Sequence, residues 1–111
     1  MTEALRLLYV TTADAEEARS IGRAAVEAGL AACANVLPAM TSIYRWQGAV
    51  EEAGEAVLIL KTRAALVAAA TDLIRERHSY DLPCVVALPI VGGNRGFLDW
   101  IVAETGPRDA R

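Results

Sequence analysis

Aromatic residues are scarce in this chain, with two Trp, three Tyr and one Phe among 111 residues. Histidine occurs once and cysteine twice. The cysteines stand well apart and outside any Cys-x-x-Cys pair, which excludes a disulfide scaffold and a sequence-local zinc motif. Lys and Arg total 11 against 14 acidic residues and form no run, and the net charge is −3. A broad phosphate-binding face, and with it a nucleic-acid partner, is not expected. Tyr44, Arg45 and Trp46 are suited to stacking on a base, but the glycine and paired aromatics of an RNA-binding strand are missing. No apolar run approaches bilayer length, since Leu5–Val10 is only strand-length. No basic start followed by a long apolar segment opens the chain. The expectation is a cytoplasmic, reduced protein without a membrane partner.

Small apolar residues are abundant instead. Hydrophobic residues make up 54% of the chain, much of it Ala. That composition favours a folded protein over a disordered one, and the length is that of one domain. We read residues 1–105 as this domain and 106–111 as a frayed tail. An Ala-rich small domain buries little area per residue, so its own core is thin, and oligomerisation offsets such a deficit.

The pattern of apolar residues gives the elements. Leu5, Leu7, Leu8, Tyr9 and Val10 form a near-continuous run, typical of a strand buried on both faces. Asp14 can cap a helix, with Glu17 three residues on as an acidic capping box. Ala18, Ile21, Ala25 and Ala28 recur at helical spacing, and Gly29 suits the helix end. Leu30–Pro38 and Ser42–Gln47 read as two strands, with Gly48 as a turn. Val57–Lys61 reads as another, led in by the acidic stretch 50–55. Leu66, Ala69, Ala70, Leu73 and Ile74 mark a second amphipathic helix, ending in the charged turn Arg75–His78. Pro83 disfavours a helical Leu82, and Val85–Ile90 is the last main strand. After the turn at Gly92–Asn94, Phe97, Leu98, Trp100 and Ile101 sit on a short final helix.

The order is β-α-β-β-α-β with an additional hairpin strand and a closing helix. Two such halves form a ferredoxin-like α+β sandwich, one antiparallel sheet with both long helices on one face. The other face has only the short C-terminal helix to cover it, which predicts self-association.

Several segments in register resemble the CutA family. They are Ala31–Pro38, Thr41–Gly48, Leu58–Thr62, His78-x-Tyr80-x-x-Pro83 with Pro89-Ile90, and Gly93-Asn94 leading to Leu98-x-Trp100-Ile101. The likeness runs from about Leu8 to Trp100. It implies a homotrimer in which strands of neighbouring subunits continue one another's sheets, an architecture also similar to the PII signalling proteins. It further implies a role in tolerance of divalent ions, copper above all.

The candidate metal ligands are His78, Cys33 and Cys84. A neutral imidazole is the commonest nitrogen ligand, and thiols suit Cu(I), Zn(II) or Hg(II). Copper or another divalent cation is the expected cofactor, and no organic cofactor is expected. A closed zinc site needs about four ligands, so one His and two Cys scattered along one chain do not make one. Ligands from adjacent subunits would be needed, helped by Asp81 or a Glu of the 51–55 arm. The resemblance makes Cys33 a family copper candidate, while its strand context reads as a small buried thiol. Cys84 departs from the family pattern, in which an acidic residue often follows the proline. A cysteine that some bacterial members carry at the end of the first strand is replaced here, by Thr11 or Val10. His78 can equally cap its helix. Lys61, Trp46, Tyr44 and Tyr80 are candidates for a ligand groove between subunits, with Lys61 taking an anion. The ordinary readings are a snorkelling lysine and packing aromatics. That groove is the basis of an alternative function, a PII-like sensor or adaptor. No nucleophile–base pair and no phosphate-cradling glycine loop is present, so an enzyme is not expected.

Overall fold

Along the first strand, Leu8, Val10 and Thr12 are fully buried, while the alternating Leu7, Tyr9 and Thr11 are only partly covered. Successive side chains of a strand point to opposite faces, so this alternation marks a sheet with one fully covered face. The computed structural model describes residues 3–106. Its elements are β1 (Leu5–Thr12), α1 (Ala15–Glu27), β2 (Cys33–Trp46), β3 (Ala49–Arg63), a 3-10 turn (Ala64–Leu66), α2 (Val67–Arg77), β4 (Val85–Ile90) and α3 (Arg95–Ala103). The strands pair antiparallel throughout in the order β2-β3-β1-β4. This is the expected ferredoxin-like α+β sandwich with a short C-terminal helix.

The separate additional strand is not found among the described residues. Cys33–Trp46 is one strand of 14 residues, and its partner β3 has 15. Pro38 does not end β2, because β2 is an edge strand and a missing amide there costs no ladder bond. A register shift between Leu37 and Met40 takes up the irregularity. The acidic stretch reads as a lead-in by composition, yet Glu51 and Glu52 are paired with Tyr44 and Ile43. Gln47 and Gly48, with φ of 50° and 83°, close the hairpin in two residues. Two consecutive positive φ values match the right-handed twist of the flanking strands. The result is a long arm on which Ile43 and Val50 are two-thirds exposed.

On the covered face, Leu8, Val10, Leu58 and Leu60 of the sheet meet Ile21 of α1 and Ile74 of α2. Ala18, Ala25 and Ala70 keep the helices close. At Gly22 the approach is tightest, since a Cβ there would stand 2.9 Å from Cβ of Ala34. The buried hydroxyls of Thr12, Thr62 and Thr105 donate to the carbonyls of Asp14, Leu30 and Ile101. The opposite face is covered at one end only, where Ile101, Leu98 and Val102 of α3 pack on Leu5, Ala32 and Ile90. Beyond it Val86 and Leu88 remain about half exposed, as does Leu37. The apolar run of β1 is therefore buried on both faces only near Leu5.

Helix α1 is closed at both ends by local chemistry. Asp14 Oδ1 accepts from the Glu17 amide at 2.8 Å, and Glu17 Oε1 accepts from the Ala13 amide at 2.9 Å. At the other end the amides of Gly29 and Leu30 donate to Val26 and Ala25 carbonyls. These two bonds and the positive φ of 74° at Gly29 make a Schellman motif. The Gly29 carbonyl also accepts from the Gly106 amide at 2.8 Å. Gly106, expected to begin a frayed tail, is thus buried and bonded, and residues 107–111 lie outside the described residues.

Replacing Gly29 with Ala places a side chain in the left-handed region and a Cβ 2.5 Å from the Gly106 carbonyl oxygen. The left-handed conformation alone costs a non-glycine residue about 1–2 kcal/mol. Urea unfolding of Gly29→Ala is expected to show at least that loss, with an unchanged dependence on denaturant concentration.

Candidate functional site

The segment from His78 to Cys84 joins the end of α2 to β4. His78 is the helix C-cap, with extended backbone. Its Nδ1 accepts from the Tyr80 amide at 3.0 Å, so the ring proton belongs on Nε2, which donates to the Thr11 carbonyl at 2.7 Å. The two rings lie 4.8 Å apart. The Ser79 amide donates to Glu17 Oε2 at 2.8 Å, and Tyr80 Oη donates to Glu55 Oε2 at 2.8 Å. The loop is therefore tied at once to the end of β1, the first turn of α1 and the middle of β3.

The electrostatics follow from these ties. Burial pushes the Glu17 carboxyl upward, but donation from the Ala13 amide and from Ser79, with His78 nearby, outweighs it and leaves the carboxyl below its ordinary range. The Tyr80 phenol is pushed well above its ordinary range, first by burial and then by donation to Glu55 and the negative charges of Glu55 and Glu17.

Between this loop and the hairpin arm lies a groove of about 560 Å³, whose lining includes Tyr44, Trp46, Glu55, Tyr80, Asp81 and Cys84. Three of the four expected groove residues, Tyr44, Trp46 and Tyr80, meet here. Lys61 does not. It lies six residues along β3 from Glu55, about 20 Å of extended strand. Its ammonium donates to Asn35 Oδ1 at 2.6 Å, approaches Cys33 Sγ at 3.8 Å and stands 5.9 Å from the centroid of the Phe97 ring. An anion held by Lys61 in the groove of one chain is ruled out by that distance.

The three expected metal ligands are not brought together either. Cys33 and Cys84 are both free thiols, partly buried and exposed respectively. Cys33 opens β2 and Cys84 immediately precedes β4, the two opposite edges of the sheet. Three strand spacings, about 14 Å, separate those edges. His78 has spent both ring nitrogens inside the chain, which leaves no lone pair for a cation. Among the described residues no group of three or more His, Cys, Asp or Glu is placed to hold a metal ion. Within a single chain these residues do not fit a closed metal site. Reading the sequence also passed over Asn35, Phe97 and Glu55 as individual partners, and over Glu17 as more than a cap. The capping pattern of Glu17 is local and legible, whereas its bond to Ser79 spans 62 residues.

Residues 6–104 match the sequence profile of the family described as CutA1 divalent ion tolerance protein. The chain belongs to this family. The divalent-cation tolerance protein CutA of Thermus thermophilus is 44% identical over 100 residues, covering 90% of this chain and 97% of its own. Human Protein CutA is 44% identical over 93 residues, covering 84% of this chain but 52% of its own. The chain thus spans about half the length of the human relative and nearly all of the bacterial one. The crystal structure of CutA1 from Oryza sativa superposes with a TM-score of 0.91 at 38% identity, covering 95% of this chain and 96% of that one. The ferredoxin-like sandwich is thus the architecture of CutA relatives as well as of this chain.

Two outcomes test the site geometry of this CutA member. A carboxyl held below its ordinary range adds stability above the unfolded value, and that stability is lost as pH falls through the folded value. Glu17→Gln is therefore expected to lower stability at pH 7 and to weaken the acid dependence of unfolding, measured by denaturant titration across pH 3–7. In a spectrophotometric alkaline titration, Tyr80 is expected to ionise late, as a separate step above the ordinary phenol range. Tyr80→Phe is expected to remove that late step.

Proposed function

We propose that this chain serves divalent-cation tolerance as a non-catalytic homotrimer, in which a soft cation, copper first, is held by thiols of neighbouring subunits. The observation that carries this reading is the placement of Cys33 and Cys84 at opposite edges of one sheet. A ring of copies that sets the β2 edge of one subunit against the β4 edge of the next brings the strand that Cys33 opens beside the strand that Cys84 leads into. No single chain does that. A head-to-tail contact of this kind closes into a ring when its rotation allows. The half-exposed Val86, Leu88 and Leu37 on the uncovered face support assembly independently, since apolar residues clustered on one face mark an interaction surface. Thiolate ligands select Cu(I) over oxygen-loving cations. His78 is a positioning residue in this reading, because it holds the loop before Cys84 and offers no lone pair.

Light scattering is expected to return three times the chain mass at micromolar concentration. In Cu(I) titrations of the reduced protein, Cys33→Ser and Cys84→Ser are each expected to weaken binding by at least about tenfold, the low end of the loss seen on removing even an outer-sphere partner. His78→Ala is expected to lower thermal stability more than Cu(I) affinity. Thiol variants that bind Cu(I) as tightly as the parent protein exclude the reading, and a monomer excludes the ring.

A further inference from the structure

We propose that His78 is an acid-released catch on the segment that leads into β4. Both partners of its ring are main-chain groups of the same chain, the Thr11 carbonyl at Nε2 and the Tyr80 amide at Nδ1. The pairing therefore does not depend on which surface a neighbouring copy covers. It does depend on the charge of the ring. A neutral imidazole offers one donor and one acceptor, whereas an imidazolium offers two donors. A proton on Nδ1 sets an N–H against the Tyr80 N–H, across a separation that is 3.0 Å in the neutral pairing. Either the amide leaves or the ring turns away from it, and both break the bond.

The segment held in this way has little else to hold it. Among the described residues, positions 80–84 make two hydrogen bonds, from the Tyr80 amide to His78 and from the Tyr80 hydroxyl to Glu55. Segments with so few bonds open at the lowest free energy. Ser79 is anchored separately, since its amide donates to Glu17 Oε2. Burial raises the Glu17 carboxyl, but the Ala13 and Ser79 donors, with His78 nearby, hold it below its ordinary range. Glu17 thus stays ionised where a histidine titrates, roughly pH 5–8, and the release begins at Tyr80. Glu17 on α1 also gives a turned imidazolium a charged acceptor. The other charged groups around the ring are Glu55 of β3, behind Tyr80, Arg77 before it on α2 and Asp81 after it on the loop. The end of β1 presents only the uncharged Thr11 carbonyl. A proton on Nδ1 is compatible only with the released segment, so proton uptake and release go together. The segment ends at Cys84, so acid displaces one of the two thiols. The catch rests on bonds within one chain and stands or falls apart from the copper reading.

The chain has one histidine, so its ring nitrogens give an unambiguous magnetic resonance signal. The full-length, assembled, reduced and metal-free protein, labelled with nitrogen-15, is titrated from roughly pH 8 to pH 5. Exchange of the Tyr80 amide, corrected for its intrinsic dependence on pH, is expected to accelerate with the midpoint of ring protonation. Below that midpoint the acceleration is expected to be about tenfold per pH unit. The amides of Leu8 and Leu58 in the core strands are expected to keep their protection, which separates local release from unfolding. His78→Asn presents an amide oxygen to Tyr80 and takes no proton, and is expected to abolish the acceleration. Glu55→Gln is expected to retain it, which separates the catch from titration of Glu55. Protonation of the ring with unchanged protection at Tyr80 overturns the proposal. So does a ring that takes up no proton in this range, and so does an acceleration that persists in His78→Asn or reaches Leu8 and Leu58 alike. Where His78→Asn does not fold, the two midpoints in the parent protein decide.

Discussion

Strand β3 is the member on which the rest of the structure hangs. Its inner half pairs with β1 on one side, while residues 49–61 pair with β2 on the other across one register shift. Ala56, Leu58, Leu60 and Thr62 along it alternate toward the helices and are all fully buried. A slip of one residue would turn this row away from α1 and α2 and present Val57, Ile59 and Lys61 to them instead. The same alternation places Lys61 on the uncovered face beside Cys33 and Asn35. At its outer half, β3 delivers Glu55 to the groove. One register thus sets the core, the arm and both polar clusters.

The second constraint is the loop after α2. Its three hydrogen-bond ties reach Thr11, Glu17 and Glu55, each on a different element. A net contribution of about 0.5–1.5 kcal/mol is typical of one such bond, and those to charged groups lie at the upper end or beyond. Their greater effect is positional. They hold Tyr80 and the following Asp81–Cys84 segment against the arm, and so build the groove out of residues from two distant parts of the chain. They also spend the histidine. A residue that attracts notice as the only imidazole in the chain is bonded through both nitrogens and acts as a fastener.

The uncovered face of the sheet joins fold to function. Small residues let the helices lie close on one side, but nothing comparable closes the other beyond α3. Val86, Leu88 and Leu37 are left about half exposed on that side, the kind of apolar surface that marks an interaction site. The match to the CutA1 divalent ion tolerance family runs over residues 6–104, and so takes in all four strands and their helices. Cys33 opens the strand at one edge of the sheet, and Cys84 directly precedes the strand at the other.

The helices, the strand cores at Leu5–Val10 and Val57–Lys61 and the ferredoxin-like order were legible because each follows from local periodicity and from capping residues such as Asp14, Glu17 and Gly29. The family was legible because its segments recur in register. The continuity of β2 through Pro38 was not, since proline is a breaker by local rule and is tolerated only by virtue of lying on a sheet edge. The gathering of Tyr44, Trp46 and Tyr80 at one cleft was half legible, as residue types suited to a groove, and the distance of Lys61 from them within one chain was not, because it depends on strand length. The sequence by itself determined which residues form helix and strand and which face each must bury, because those depend on neighbours within a few positions. Only the tertiary structure decided that His78 has no free nitrogen, that Cys33 and Cys84 stand at opposite edges, and that Glu55 faces Tyr80. Those outcomes depend on pairings between residues far apart in the chain, which local pattern does not encode.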